Sequence, residues 1–166
     1  MRFAIAYCKN NIAGKNIADQ FRKLTFAPQV PIIELKKETI YSNLTTKDYP
    51  ELKNTDFLFF ASTHRSKNEI PSLCLHTPGN WRSADLGGKE GKICPTSSFI
   101  LKYLFKKLTE HANNEPAIKE KYNITMEATH HGPLIEIPCC FIELGSLEEE
   151  WKDEQAAKVL AKTILS

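Results

Sequence analysis

Apolar runs of strand length alternate along the chain with longer segments whose apolar residues recur at helical spacing. The strand-like runs predict β-strands at 2–8, 30–35, 56–62, 71–81, 123–131 and 138–144. The helical spacing predicts helices over 11–24, from Ser97 or Ser98 to about Ala112, and across 145–165. Alternating strands and helices indicate an α/β fold, and we expect a single domain over residues 1–166 with a mixed β-sheet flanked by helices.

Local signals refine this outline. Pro31 predicts that the 30–35 run lies at a sheet edge or begins a strand, because proline has no N–H to donate to a neighbouring strand. The strongly apolar 56–62 run is expected at the centre of the sheet. Ser146 and Glu149 have the spacing of a capping box, which predicts that the last helix begins there.

Composition narrows the class of protein. The 166 residues are 42% hydrophobic and 25% charged, which suits one folded core and argues against a disordered chain. No apolar window of the sequence reaches the length of a membrane span, and the first residues lack the long apolar segment of a signal peptide. The net charge of +2 is modest for a nucleic-acid-binding domain, although lysine and arginine cluster locally.

The chain has five cysteines, an odd number, and no C-x-x-C motif. This spacing argues against a disulfide framework and against a four-cysteine zinc site. We expect the cysteines to be small buried residues of a protein in a reducing compartment, the cytoplasm. The adjacent Cys139 and Cys140 lie within an apolar run, which favours packing over a nucleophilic role.

Four of the five histidines come at or just beyond the C-terminal end of a predicted strand, namely His64, His76, His130 and His131. In open α/β sheets, ligands bind in the crevice outside those ends, so these side chains converge if three of the strands are parallel neighbours. The fifth, His111, comes late in the predicted 97–112 helix, where an imidazolium suits the helix dipole.

Strand alternation assigns faces to the residues around the histidine pair. In an extended strand, one face would carry Ile124, Met126, Ala128 and His130. This apolar face would direct His130 towards the interior. The other face would carry Glu127 and His131, and Gly132 allows a sharp turn directly afterwards.

Imidazole and carboxylate groups in one place support two kinds of hydrolytic chemistry. They can bind a zinc-like ion, which lowers the pKa of bound water to about 7. Without metal, a histidine can act as the general base for attack by water. The sequence has no H-E-x-x-H, P-loop or G-x-S-x-G motif that would select one enzyme class.

Polar and aromatic residues near the predicted strand ends supply candidate contacts to a nucleic acid. The first of the four histidines is followed directly by Arg65, Ser66 and Lys67, which can bind phosphate if they lie in a loop. The second is followed by Asn80 and Trp81, and an exposed tryptophan can stack on a base.

Four motifs in order make the sequence resemble a known family. They are FASTHRSK, PSLCLHTPGNWRSADLGG, TMEATHHGP and IELGSLEEEWKD, and the resemblance extends from the first strand to the last helix. The sequence resembles the archaeal-type D-aminoacyl-tRNA deacylases, a family that is also found in plants.

The resemblance implies a zinc-dependent hydrolase that cuts the ester between a D-amino acid and the 3′-terminal ribose of tRNA. It also implies an α/β fold similar to those of peptidyl-tRNA hydrolase and nucleoside phosphorylases. Together with the residue chemistry, it assigns catalysis to His64, Glu127, His130 and His131. It assigns zinc to His76, Glu127, His130 and His131. The acceptor end of the tRNA is assigned to Arg65, Ser66, Lys67, Asn80 and Trp81, with phosphate and shape recognition dominant.

One feature differs from the family pattern. Family members continue past the equivalent of Ser166 and carry another motif of Gly-Gly-x-His-Tyr-Ala-Pro-Arg type, which this sequence lacks. We therefore expect either a natural minimal form or a chain that a second polypeptide completes, in preference to an inactive form. The alternatives are another hydrolase of peptidyl-tRNA hydrolase type and a non-catalytic tRNA-binding subunit.

Overall fold

A computed structural model describes residues 1–24 and 30–166. Its strands are β1 (Phe3–Cys8), β2 (Ile32–Leu35), β3 (Phe57–Thr63), β4 (Ser72–His76), β5 (Asn123–Met126) and β6 (Cys139–Gly145). Its α-helices are α1 (Ile12–Leu24), α2 (Ser98–Asn113), α3 (Pro116–Lys121), α4 (Glu148–Trp151) and α5 (Glu154–Leu165). Two short 3-10 helices, Thr39–Tyr41 and Pro50–Asn54, lie between β2 and β3.

The six strands form one mixed sheet in the order β2-β1-β3-β6-β4-β5. The first four strands in this order run parallel, whereas β4 runs antiparallel to β6 and parallel to β5. The predicted α/β class with a mixed sheet is therefore confirmed. The edge position of the 30–35 run and the central position of the 56–62 run are confirmed as well, since β2 is an edge strand and β3 is internal.

The two faces of the sheet are covered differently. On one face, α1, α2 and α5 contribute Phe21, Leu108 and Leu160 to a core that they share with the strands. The opposite face carries a smaller core around Phe60 and Phe141, closed by the 3-10 helices and the connecting segments. Because loops rather than α-helices cover this second face, polar side chains of the strands can reach a cleft there.

Capping residues account for the starts of the later helices. The Ser97 hydroxyl caps α2 by accepting a hydrogen bond from the N–H of Ile100, as predicted. The predicted capping box at Ser146 and Glu149 is wrong, because α4 begins only at Glu148. The helix predicted across 145–165 is also split, since α5 starts afresh after an aspartate cap at position 153.

The strand predicted over 123–131 is shorter than expected. β5 ends at Met126, where its continuous pairing with β4 stops at Leu75. Beyond this point the two segments meet again only at an isolated bridge between Pro78 and His130, within the described residues. The chain then reaches His130 and His131 outside any strand, so strand alternation does not extend to them. The predicted interior orientation of His130 is therefore wrong, and this residue is exposed.

All five cysteines are free and buried, which confirms the burial expected from the sequence. Cys139 and Cys140 contribute to the cores on opposite faces of β6. Within residues 1–24 and 30–166, no helix combines the length and the apolar character that a membrane crossing requires.

Candidate active site

Four histidines and two glutamates meet on the loop-covered face of the sheet. This histidine–carboxylate cluster consists of His64, His76, His130, His131, Glu127 and Glu143. Strands β4 and β6 carry His76 and Glu143, His64 follows β3, and the other three lie in the segment after β5. The structure thus brings together the four histidines and the glutamate that the sequence singled out, and it adds Glu143.

The histidines do not meet by the predicted route. β4 is antiparallel to β6, so the expected set of three parallel neighbours does not exist. Instead, Glu143 is paired with Ser62 on β3 and with Cys74 on β4, which places these side chains on one face. His64 comes two residues after Ser62, and His76 comes two residues after Cys74. Because β3 and β4 run in opposite directions, the two histidines lie on either side of Glu143.

Glu143 lies at the centre of the cluster, and sequence reasoning missed it. Its carboxylate lies 3.7 Å from His64 Nδ1, 3.7 Å from His76 Nε2 and 4.0 Å from His131 Nε2. The residue is only 3% exposed. A carboxylate so deeply buried costs free energy unless it has partners, so an acidic residue inside the apolar run CCFIELG was the signal that could have identified it.

The cluster holds opposite charges side by side. Burial alone would raise the pKa of Glu143, but the neighbouring imidazoles of His64 and His76 lower it to about 2. Burial likewise opposes the charged form of His64, whereas Cys74, Glu127 and Glu143 raise the pKa of His64 to about 12. With these partners, His64 is an imidazolium at neutral pH, and its Nδ1 lies 3.4 Å from Glu127 Oε2.

The main chain orients the other three imidazoles. Each Nδ1 lies within hydrogen-bonding distance of a carbonyl oxygen, that of Thr77 for His76 (3.3 Å), Ala128 for His130 (2.7 Å) and Gly132 for His131 (2.6 Å). A carbonyl oxygen can only accept, so each Nδ1–H donates, and Nε2 is the ring nitrogen left for a further partner. Burial lowers the pKa of His131 to about 4, which keeps that ring neutral.

Three overlapping groups of side chains could hold a metal ion. They are His76, His130 and His131; His76, Glu127 and Glu143; and His64, Cys74 and Glu127. Within each group, one ligand atom per residue lies within 4.8 Å of the others. Cys74 is a further residue of the site that the sequence analysis treated only as a buried cysteine.

Two buried atoms of the cluster lack hydrogen-bond partners among the described residues, namely His76 Nε2 and Glu127 Oε2. A buried polar atom without a partner costs free energy, so such atoms mark places where a ligand binds. Both atoms therefore suit a site that takes up a cation or a water molecule.

A cleft of about 500 Å³ opens over the cluster. His64, His130, His131 and Glu143 form part of its lining. Another part consists of polar residues at or just beyond the C-terminal ends of the parallel strands β1, β2 and β3, namely Asn10, Asn11, Glu38, Thr39, Ser62 and Thr63. The cleft therefore lies where ligands bind in open α/β sheets, and it extends from there over the face of the sheet.

Arg65 lies at this cleft with a fixed orientation. Its guanidinium carbon is 4.6 Å from the centroid of the Trp151 ring, and the indole N–H donates to the carbonyl oxygen of His64 at 3.2 Å. A guanidinium that stacks on an aromatic face keeps its N–H donors available in its own plane. Ser66 lies next to Ser146, and Lys67 is exposed.

The structure places Asn80 and Trp81 outside the lining of the cleft, within the part of the chain that it describes. Asn80 is buried, and its side-chain amide donates to the carbonyl oxygen of Gly87 at 2.9 Å. It therefore holds the connecting segment in place. Trp81 is 71% exposed on the same segment, and its assignment to base stacking stays a prediction.

Close backbone packing positions the histidine pair. The N–H of Gly132 donates to the carbonyl oxygen of Leu86 at 2.9 Å, and a Cβ on Gly132 would overlap the backbone of Gly88 and Ile40. His131 itself adopts φ 45°, a left-handed conformation that is uncommon for residues other than glycine. The 86–88 segment and the histidine pair are thus placed together.

Comparison with known proteins points to one family. The family model described as D-aminoacyl-tRNA deacylase matches residues 51–166. The D-aminoacyl-tRNA deacylase of Archaeoglobus fulgidus is 33% identical over 171 residues, which cover 95% of this chain and 60% of the relative. That of Methanocaldococcus jannaschii is 30% identical over 169 residues, covering 99% of this chain and 62% of the relative. The chain thus spans less than two thirds of the length of these curated relatives.

Two solved structures have a similar fold. The crystal structure of AF0625, a conserved protein of unknown function, superposes with a TM-score of 0.84 at 34% identity, covering 99% of this chain and 62% of that chain. A futalosine hydrolase mutant of Helicobacter pylori superposes with a TM-score of 0.52 at 12% identity, covering 99% of both chains. The second similarity shows a shared fold alone.

Proposed function

The chain belongs to the D-aminoacyl-tRNA deacylase family, and from this membership we propose that it hydrolyses the ester bond of D-aminoacyl-tRNA, releasing a free D-amino acid and tRNA. The observation that carries the proposal is the histidine–carboxylate cluster in the cleft, where Glu143 contacts three imidazoles. Ester hydrolysis needs an activated water, a proton for the leaving oxygen and stabilisation of the developing oxyanion. The cluster offers a base and an acid for the first two needs.

In this proposal, Glu127 and His64 move the protons. Water attacks the ester carbonyl, and Glu127 Oε2 accepts the proton that the water loses, because the neighbouring His64 lowers the pKa of this carboxyl and keeps it ionised. The His64 imidazolium donates a proton to the ribose O3′ as the C–O bond breaks. Glu127 then releases its proton to water in the cleft and His64 takes one from it, which restores both groups.

The donors of the cluster fit zinc, which takes imidazole nitrogen, carboxylate oxygen and thiolate sulfur. His76, His130 and His131 would hold the ion, with Glu127 adjacent, because each Nδ1 is taken by a carbonyl oxygen, which leaves Nε2 to ligate, and His76 Nε2 is buried without a partner in the described chain. A bound zinc supplies a Lewis acid and lowers the pKa of water to about 7. The carbonyl contacts of the three Nδ1 atoms orient the rings for this task.

Arg65, with Ser66 and Lys67, would bind a phosphate of the tRNA acceptor end. The support for this assignment is that Arg65 lines the cleft and is stacked on Trp151 beside His64. Guanidinium and phosphate form paired hydrogen bonds without reading sequence, which suits a protein that accepts many tRNAs. The five free cysteines fit a reducing compartment, and we place the reaction in the cytoplasm.

Release of D-tyrosine from D-tyrosyl-tRNA by the 166-residue chain tests the proposal. We expect release that zinc supports and chelation abolishes, with L-tyrosyl-tRNA spared. Cleavage of N-blocked L-peptidyl-tRNA instead would indicate an enzyme of peptidyl-tRNA hydrolase type. Binding of tRNA without release under any condition would contradict the proposal and indicate a binding subunit that a second polypeptide completes.

A further inference from the structure

A polar lobe of the cleft lies directly beside the histidine–carboxylate cluster. This β1–α1 lobe consists of Asn10, Asn11, Glu38, Thr39 and Ser62. Its last member, Ser62, is the strand partner of Glu143. The two residues are therefore separated by one strand spacing, roughly 5 Å, so a ligand group in the lobe lies next to groups that react at the cluster.

The side-chain amide of Asn11 has one defined orientation. Its Oδ1 accepts hydrogen bonds from the N–H of Gly14 and the hydroxyl of Thr63, both at 2.8 Å. The Nδ2 group must then point the other way, where it lies 3.3 Å from Glu38 Oε2 and 3.4 Å from Ser62 Oγ. Both amide hydrogens are then in use. Thr39 Oγ1 and Ser62 Oγ share one contact of 3.3 Å, so one hydroxyl hydrogen of that pair remains as a donor beside the Glu38 carboxylate.

This pair of groups selects the chemistry of its ligand. A hydroxyl both donates and accepts, so it can donate to Glu38 and accept from the remaining hydroxyl hydrogen of Thr39 or Ser62. A phosphate would face the negative charge of Glu38. An ammonium has donors only and would leave that hydroxyl hydrogen without an acceptor. A carboxylate has about four lone-pair sites, so the bond from Asn11 leaves Glu38 able to accept another.

We infer that Glu38 accepts a hydrogen bond from the 2′-hydroxyl of the terminal ribose and thereby selects a ribonucleotide acceptor end. The inference rests on the proposed function, since it takes the ribose that carries the ester as the ligand. With the 3′-ester over the cluster, the vicinal hydroxyl is the group of the ribose that both donates and accepts next to the reacting bond. A contact to this hydroxyl is the means by which proteins distinguish RNA from DNA.

Binding of uncleavable nucleosides tests the inference without any turnover. The probe is 3′-deoxy-3′-(D-tyrosylamino)adenosine, in which an amide replaces the ester, and it is compared with its 2′-deoxy counterpart by titration calorimetry. We expect the unmodified chain to bind the 2′-hydroxyl probe about tenfold more tightly than the 2′-deoxy probe. Glu38→Gln should remove this preference by weakening only the 2′-hydroxyl probe. Glu51→Gln, at an exposed position outside the cleft, should keep it.

Three results would overturn the inference. The first is equal binding of both probes, or of neither, to the unmodified chain. The second is an equal loss for both probes in Glu38→Gln. The third is a loss of affinity in Glu38→Gln that is seen only with probes that carry the α-amino group. Such a result would mean that Glu38 binds the ammonium and not the 2′-hydroxyl. A chain that shows the 2′-hydroxyl preference but releases no D-tyrosine would contradict the proposed hydrolysis and leave the ribose contact standing.

Discussion

Glu143 organises the candidate site through one buried charge. Its carboxylate contacts three imidazoles, and together with Glu127 it keeps the His64 ring protonated. Three imidazoles from separate parts of the chain therefore depend on a single strand residue. Neutralising that residue should disturb proton transfer more than it disturbs the fold.

Glu143→Gln keeps the size of the side chain and removes its charge. We expect the rate of D-tyrosyl-tRNA deacylation at neutral pH to fall at least about 100-fold, the range of a lost acid–base contribution. Because Glu143 raises the pKa of His64, the variant should also lose its remaining activity at lower pH than the unmodified chain does. Measuring kcat/KM against pH checks both effects. The exposed Glu120→Gln should leave the profile unchanged, and a Glu143→Gln variant within threefold of normal would refute the role.

Arg65 offers a second prediction for a single side chain. Arg65→Ala should weaken tRNA binding and reduce the slope of log affinity against log salt by about one, because one phosphate contact is lost. Arg65→Lys should restore part of the affinity, since lysine keeps the charge but loses the planar stack on Trp151. Filter binding at several salt concentrations measures the slope. Lys102→Ala, at an exposed position of α2, should leave it unchanged.

At the scale of elements, the start of α5 depends on one aspartate with two functions. Asp153 Oδ1 accepts hydrogen bonds from the N–H groups of Gln155 and Ala156, and its Oδ2 accepts one from the buried Tyr122 hydroxyl at 2.8 Å. Ser97 caps α2 through one acceptor contact to Ile100. The two caps therefore form a matched pair for measuring what the tyrosine bond adds.

Asp153→Ala should lower the free energy of unfolding by about 2 kcal/mol, about 1 from the cap and about 1 from the unpaired phenol. Ser97→Ala should cost about 1 kcal/mol, because it removes a cap alone. Urea unfolding measures both values. Equal costs would mean that the bond from Tyr122 contributes nothing. Deacylation should survive both changes, since neither residue lines the cleft in the described structure.

The sequence predicted elements better than it predicted their pairing. Apolar runs mark β3 and β6 because both strands are buried along almost their whole length. The antiparallel insertion of β4 depends on contacts between residues far apart in the chain, which no local pattern records. The early end of β5 has the same origin, since its pairing with β4 stops at Met126 and resumes only at the isolated Pro78–His130 bridge. That early end is why the predicted face of His130 was wrong.

At the scale of the whole molecule, the two faces of the sheet have different tasks. The helical face holds the larger core and gives the fold most of its buried apolar surface. The loop-covered face holds the charged cluster, whose members could be chosen from the sequence only where a histidine interrupted a strand end. Glu143 and Cys74 were not predicted as site residues, because that requires knowing which face of β6 and of β4 the loops cover.

A zinc ion that binds at the cluster on this face should therefore stabilise the folded chain as a whole against unfolding. A ligand that binds only the folded chain at 100 times its dissociation constant adds about 2.7 kcal/mol, which for a chain of this size raises Tm by roughly 5–10 °C. We expect zinc to produce such a rise, chelation to reverse it, and calcium, which prefers oxygen ligands, to have no effect.

Two substitutions locate the source of that stabilisation. His130→Ala removes an exposed imidazole of the cluster without opening the core, so it should abolish most of the zinc-dependent rise while changing the zinc-free Tm little. His111→Ala, on α2 and bonded to Ser166, should retain the full rise. Thermal unfolding with and without zinc compares the two variants. Because each variant is its own zinc-free reference, an equal rise in both would mean that His130 does not hold the ion, and one of the two groups without His130 would then be the metal site or the ion would bind outside the cluster.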